Sequence, residues 1–115
     1  MSDPHGFQLI VTIVAQGRSG PLVEAAKGAG AEGVTILRGR GSGVHEASKF
    51  LGIPIEPEKD ILLVLIEESK TTPVLEAMVR AGELDKPGKG IAFVLDVSRV
   101  EGIVHLGKVV SSIKR

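Results

Sequence analysis

Apolar residues gather in runs of strand length, and the chain uses the same run twice. Leu9-Ile10-Val11-Thr12-Ile13-Val14-Ala15 and Ile61-Leu62-Leu63-Val64-Leu65-Ile66-Glu67 are both rich in β-branched residues and stand 52 residues apart, and each predicts a strand. At the same offset, Pro21-Leu22-Val23-Glu24-Ala25-Ala26-Lys27-Gly28-Ala29-Gly30 matches Pro73-Val74-Leu75-Glu76-Ala77-Met78-Val79-Arg80-Ala81-Gly82. In each copy the Pro marks the expected helix start, where its missing N–H costs little, and the Gly marks the stop. Apolar positions 22, 23, 26 and 29, and 74, 75, 78 and 79, form one helical face in each copy. A further apolar run follows each helix, Val34-Thr35-Ile36-Leu37 and Ile91-Ala92-Phe93-Val94-Leu95.

The order is therefore strand-helix-strand, twice. Two interleaved right-handed β-α-β halves give an α+β ferredoxin-like βαββαβ sandwich, an antiparallel four-stranded sheet with both helices on one face. A doubly wound parallel sheet competes, but two helices would have to cover two faces. The strand runs are apolar at nearly every position instead of alternating, which is the pattern of strands buried on both sides. With helices on only one face, neighbouring subunits are expected to cover the other, so the pattern predicts a homo-oligomer.

Bulk composition narrows the class. The 115 residues suit a single domain, 1–115, which buries roughly two-thirds of its unfolded surface. Cysteine is absent, so disulfides and thiolate metal sites are excluded. Fourteen Lys and Arg balance fourteen Asp and Glu, and a nucleic-acid binder would need a basic excess. No run of 18 apolar residues predicts a membrane span, and Met1-Ser2-Asp3-Pro4-His5 lacks the basic and apolar regions of a signal peptide. A cytoplasmic protein with no direct membrane insertion is the expectation. His5, His45 and His105 lie in separate stretches and Asn is absent, so neither a metal site nor an enzyme is expected. Glu67-Glu68 at a strand end reads as a solvated pair.

Three glycine clusters carry the remaining information. Gly28-Ala29-Gly30-Ala31-Glu32-Gly33 spells G-x-G-x-x-G, but a helix precedes it and a strand follows, the reverse of a dinucleotide fingerprint. Arg38-Gly39-Arg40-Gly41-Ser42-Gly43 leaves a strand and offers backbone N–H groups and two cations to an anion; a solvated hairpin tip is the alternative. It opens a segment, 38–59, of about twenty residues without strand pattern, a length that in compact domains marks function or disorder. Within it Val44 to Leu51 predicts a short helix and Gly52 to Pro57 an extended, proline-punctuated stretch. The third cluster, Lys86-Pro87-Gly88-Lys89-Gly90, makes the second half five residues longer than the first and reads as a phosphate-binding loop or a plain Pro-Gly turn. Apolar residues at 106, 109, 110 and 113 in the 101–115 tail have helical spacing.

Over about Gln8 to Gly107 the chain resembles the PII nitrogen-regulatory family. The resemblance rests on Gly33-Val34-Thr35-Ile36, Gly41-Ser42-Gly43, the glycine loop Lys86 to Gly90, and Phe93-Val94-Leu95-Asp96-Val97-Ser98-Arg99-Val100. It implies a homotrimer with an adenine nucleotide (AMP, ADP or ATP) in clefts between subunits and no covalent cofactor. It also implies that 38–59 is a mobile T-loop docking on a transporter, a metabolic enzyme or a regulator. Carried over by position, Thr35, Gly41, Ser42 and Gly43 would line one side of the cleft, Ile13 and Leu65 would contact the base, and Gly88, Lys89 and Gly90 would hold phosphates, with Arg38, Arg40 and Lys86 as further cations.

Several positions depart from the family pattern. Lys89 stands where an acidic residue is usual between the loop glycines, Ile91 where a lysine follows them, and Gly102 and Val104 where two arginines grip phosphates. With no Tyr anywhere, tyrosine uridylylation is excluded. Charge-assisted hydrogen bonds contribute about 1.5–3 kcal/mol each, so these losses imply weakened triphosphate binding unless Arg38, Arg40 or Lys86 compensates. The alternative function is a trimeric interaction module that binds no nucleotide, or a different small anion.

Overall fold

A computed structural model describes residues 6–43, 48–105 and 108–113 of the chain. Strands β1 (Phe7–Ala15), β2 (Thr35–Arg40), β5 (Glu58–Glu67) and β6 (Ile91–Val97) form one antiparallel sheet in the order β2-β5-β1-β6. Helices α1 (Ser19–Gly28) and α2 (Glu68–Gly82) make the two crossovers. This is the ferredoxin-like α+β arrangement that the repeat predicted. Two small hairpins complete it, β3 (Ser48–Phe50) with β4 (Ile53–Ile55), and β7 (Arg99–His105) with β8 (Lys108–Ile113).

Side-chain alternation divides the sheet into two unlike faces. Ile10 and Val14 of β1 and Leu62, Val64 and Ile66 of β5 point to the helices and pack with Leu22, Ala26, Val74 and Met78 in the core. The opposite face is also apolar. Its rungs run Leu65–Leu9–Leu95, then Leu63–Val11–Phe93, then Leu37–Ile61–Ile13–Ile91. Among the described residues no helix covers this second face, and Leu37, Leu65, Ile91, Phe93 and Leu95 remain between 40% and 56% exposed.

The helix ends differ from their sequence signals. α2 begins at Glu68, directly after β5, which places Pro73 inside the helix instead of at its start. Its first turn, Glu68-Ser69-Lys70-Thr71, is polar and carries no apolar period to announce it. Gly82 is the last helical residue, and the left-handed cap is Glu83, at φ 53° and ψ 42°. Gly82 is needed for packing instead, because a Cβ there would lie 3.3 Å from Leu22 of α1 and 3.0 Å from Leu84. In the first half Gly30 makes the left-handed exit at φ 124°, and Ala31 N–H donates to Ala26 C=O at 2.9 Å. The G-x-G-x-x-G match is thus a helix C-terminus.

Two other expectations are corrected. The short helix predicted over 44–51 is not formed by Ser48–Phe50, which pair with Ile53–Ile55 as a hairpin; residues 44–47 lie outside the described residues. The tail pairs as strands β7 and β8 instead of a helix. Apolar spacing there fitted either state, and the β-branched content of Val100, Ile103, Val104, Val109, Val110 and Ile113 favours the strand.

Candidate functional site

The loop from α2 to β6 is built by backbone geometry. After the Glu83 cap, Leu84 N–H donates to Val79 C=O at 3.0 Å and Lys86 N–H to Glu83 C=O at 3.0 Å, which turns the chain sharply. Gly88 and Gly90 follow at φ 79° and 140°, backbone states that other residues rarely adopt. Gly90 lies against the end of β1, over the Ile13 carbonyl.

Across the sheet edge, β2 runs on to Arg40, and Gly41 N–H donates to Pro57 C=O at 3.2 Å, closing the neck of the long loop. A cleft of about 760 Å³ separates the two segments. Ile13 and Ile61 supply apolar floor. Gly41, Ser42 and Gly43 form one wall and Lys86 to Gly90 the other. Arg40, Lys59, Lys86 and Lys89 line this cleft, and among the described residues Asp85 is the one acid that does. Such a concave surface, part apolar and part basic with a glycine-rich segment on each wall, suits a ligand with a flat apolar portion and an anionic one.

Two of the cations are set apart by their neighbours. The Lys86 ammonium pairs with the Glu83 carboxylate. That hydrogen bond, with the Lys86 charge and then that of Lys89, holds the Glu83 carboxyl below its ordinary range, and the same bond raises Lys86. Lys59 is almost buried and stands in register between Gly39 and Ala15, small neighbours that leave it room.

Of the residues marked by sequence, Ile13, Arg40, Gly41, Ser42, Gly43, Lys86, Gly88, Lys89 and Gly90 come together in this cleft. Thr35 and Leu65 do not. They line a second cavity of about 350 Å³ at the opposite ends of β2 and β5, with Gly33, Leu63, Glu67 and Lys70. Leu65 is the repeat equivalent of Ile13, so the two cavities sit at the same ends of equivalent strands. Arg38 lines neither cavity; strand alternation turns it to the helix side, where it pairs with Asp60. Lys59 was missed because Glu58-Lys59-Asp60 reads as a solvated charge cluster, and only strand register turns Lys59 to the open face. Gly102 adopts φ 133° in β7, a state unfavourable to the arginine that the resemblance would place there.

Among the described residues no group of three His, Cys, Asp or Glu stands together as a metal site, and no helix is long and apolar enough to cross a membrane. A family model described as nitrogen regulatory protein P-II matches residues 7–105. No curated protein matches the chain.

Proposed function

The chain belongs to the nitrogen regulatory protein P-II family, and from that premise we propose that it is a homotrimeric cytoplasmic regulator whose subunits share adenine-nucleotide sites. In this reading the 38–59 segment reports the ligand to a partner protein, a transporter or metabolic enzyme. One observation carries the proposal. The residues expected to hold one nucleotide fall into two cavities at opposite ends of the same apolar, uncovered sheet face. Within one chain Thr35 and Leu65 cannot meet Lys89 and Gly90. A neighbouring copy packed on that face can bring its second cavity to the first cleft, making one site per subunit pair and burying the exposed leucines, isoleucines and Phe93.

The chemistry then divides. Ile13 from one subunit and Leu65 from the next take the base. Gly88, Lys89 and Gly90, with Arg40 and Lys86, take the phosphates, and the 41–43 segment closes around the ribose and phosphate region. With Gly102 and Val104 contributing no cation, ADP or AMP is the expected preference over ATP.

Co-assembly tests the sharing. Lys89→Met weakens the cleft and Leu65→Asn the second cavity, so each variant alone should bind nucleotide about tenfold more weakly than the wild type. Mixed oligomers should recover part of it, because some interfaces join two intact halves. Mixtures that bind no better than the separate variants would contradict a shared site.

A further inference from the structure

Two rungs before the sheet gives way to the long loop, a charged network lies on the face away from the cleft. Arg38 and Asp60 are cross-strand partners in β2 and β5. Asp60 is only 3% exposed; its Oδ1 lies 3.4 Å from Arg38 Nε, and its Oδ2 accepts the Gly17 N–H at 3.1 Å. The Gln16 amide, in the orientation that satisfies both its ends, accepts from Arg38 at 2.6 Å and donates to the Glu58 carboxylate at 2.8 Å. Gln16 N–H also donates to the Glu58 carbonyl at 3.2 Å. The turn after β1, the end of β2 and the start of β5 are thereby tied at one point.

That point has two neighbours. The next rungs, Gly39 with Lys59 and Arg40 with Glu58, all but Glu58 lining the cleft, lead straight into the Gly41–Gly43 wall. The Gly41–Pro57 hydrogen bond at 3.2 Å then closes the loop neck. A buried carboxylate is costly unless its partners are in place, so Asp60 favours only the register that keeps Arg38 and Gly17 beside it. A slip of one residue would turn Arg38 to the open face and take the glycine wall out of position.

We infer that Arg38 and Asp60 are a positioning pair: they fix the wall Arg40–Gly43 from the reverse side of the sheet and couple occupancy of the cleft to the long loop. Ligand contacts at 40–43 and loop contacts beyond 57 act on the same two rungs, so a change at either end is transmitted through this tie. The coupling half of this inference rests on the nucleotide-binding reading above; the positioning half does not.

Amide hydrogen exchange on the full-length protein separates them. In Arg38→Met, exchange at 39–43 and 57–60 should rise about tenfold, while α2 amides stay unchanged. Arg38→Lys, which keeps the charge against Asp60, should recover most of the protection. Saturating ADP should protect the loop hairpin in the wild type but not in Arg38→Met, a loss that lowered stability alone would not cause once the site is filled. Unchanged exchange at 39–43 in a folded Arg38→Met protein would overturn the positioning role. Undiminished loop protection by ADP in that variant would overturn the coupling. A wild type that ignores ADP would instead defeat the nucleotide reading and the coupling with it, leaving the exchange comparison without ligand to decide the positioning role. Asp60→Asn adds a second readout where it folds, and the Arg38 variants decide the matter where it does not.

Discussion

Gly90 rests on the backbone of Ile13: a Cβ at position 90 would lie 2.5 Å from the Ile13 carbonyl oxygen and 2.9 Å from Val14. Backbone and φ of 140° both exclude a side chain, so the loop over the cleft cannot approach β1 this closely with any other residue. Gly90→Ala should destabilise the protein by about 2 kcal/mol or more. Gly41→Ala, where a Cβ meets nothing within 4 Å, should stay within about 0.5 kcal/mol. Urea unfolding at one fixed protein concentration checks both, since oligomer stability depends on concentration.

Glu83 and Lys86 make an exposed pair at the cleft rim, and Glu83 competes with any anion for the lysine. Glu83→Gln should release Lys86 and tighten ADP binding a few-fold, whereas Lys89→Met should weaken it about tenfold. The signs of the pKa shifts fix the pH window. Glu83 is lowered by Lys86, so the pair's contribution is present above the ordinary carboxylate value and is lost as pH falls through the lowered one. Lys86 is raised by Glu83, so at the alkaline end the contribution is lost only as pH rises through the raised value. An NMR titration of the Glu83 carboxyl should show its midpoint moving back up in Lys86→Met.

Thr12 is fully buried in the middle of β1, and its hydroxyl has no hydrogen-bond partner among the described residues. A buried hydroxyl without a partner costs roughly 1–3 kcal/mol. Thr12→Val should therefore raise stability by about 1 kcal/mol, read as a higher urea midpoint with an unchanged slope.

The uncovered sheet face should be the subunit interface. Phe93, 41% exposed in the single chain, lies on the rung with Val11. Phe93→Glu should convert the proposed trimer to monomer in light scattering. A variant that stays trimeric would place the interface elsewhere.

The four sheet strands were legible because their β-branched runs are long and bounded by Gly and Pro, and the 52-residue match fixed their order. What sequence hid was set by tertiary context. The start of α2 was obscured by a polar first turn, and Pro73 drew the boundary five residues too late. The tail's apolar spacing suited helix and strand alike. Within the site, both glycine loops were visible as composition, but which side of a strand a residue faces is decided by register. Register sends Arg38 to Asp60 and turns Lys59 to the cleft, and it leaves Thr35 and Leu65 at the other end of the sheet.

Calorimetric titration of the assembled wild-type protein with AMP, ADP and ATP tests the central claim most directly. The account predicts saturable binding at one nucleotide per subunit, with ADP or AMP at least as tight as ATP and the Lys89→Met protein weaker for all three. A folded trimer that gives no binding heat with any of the three would contradict it.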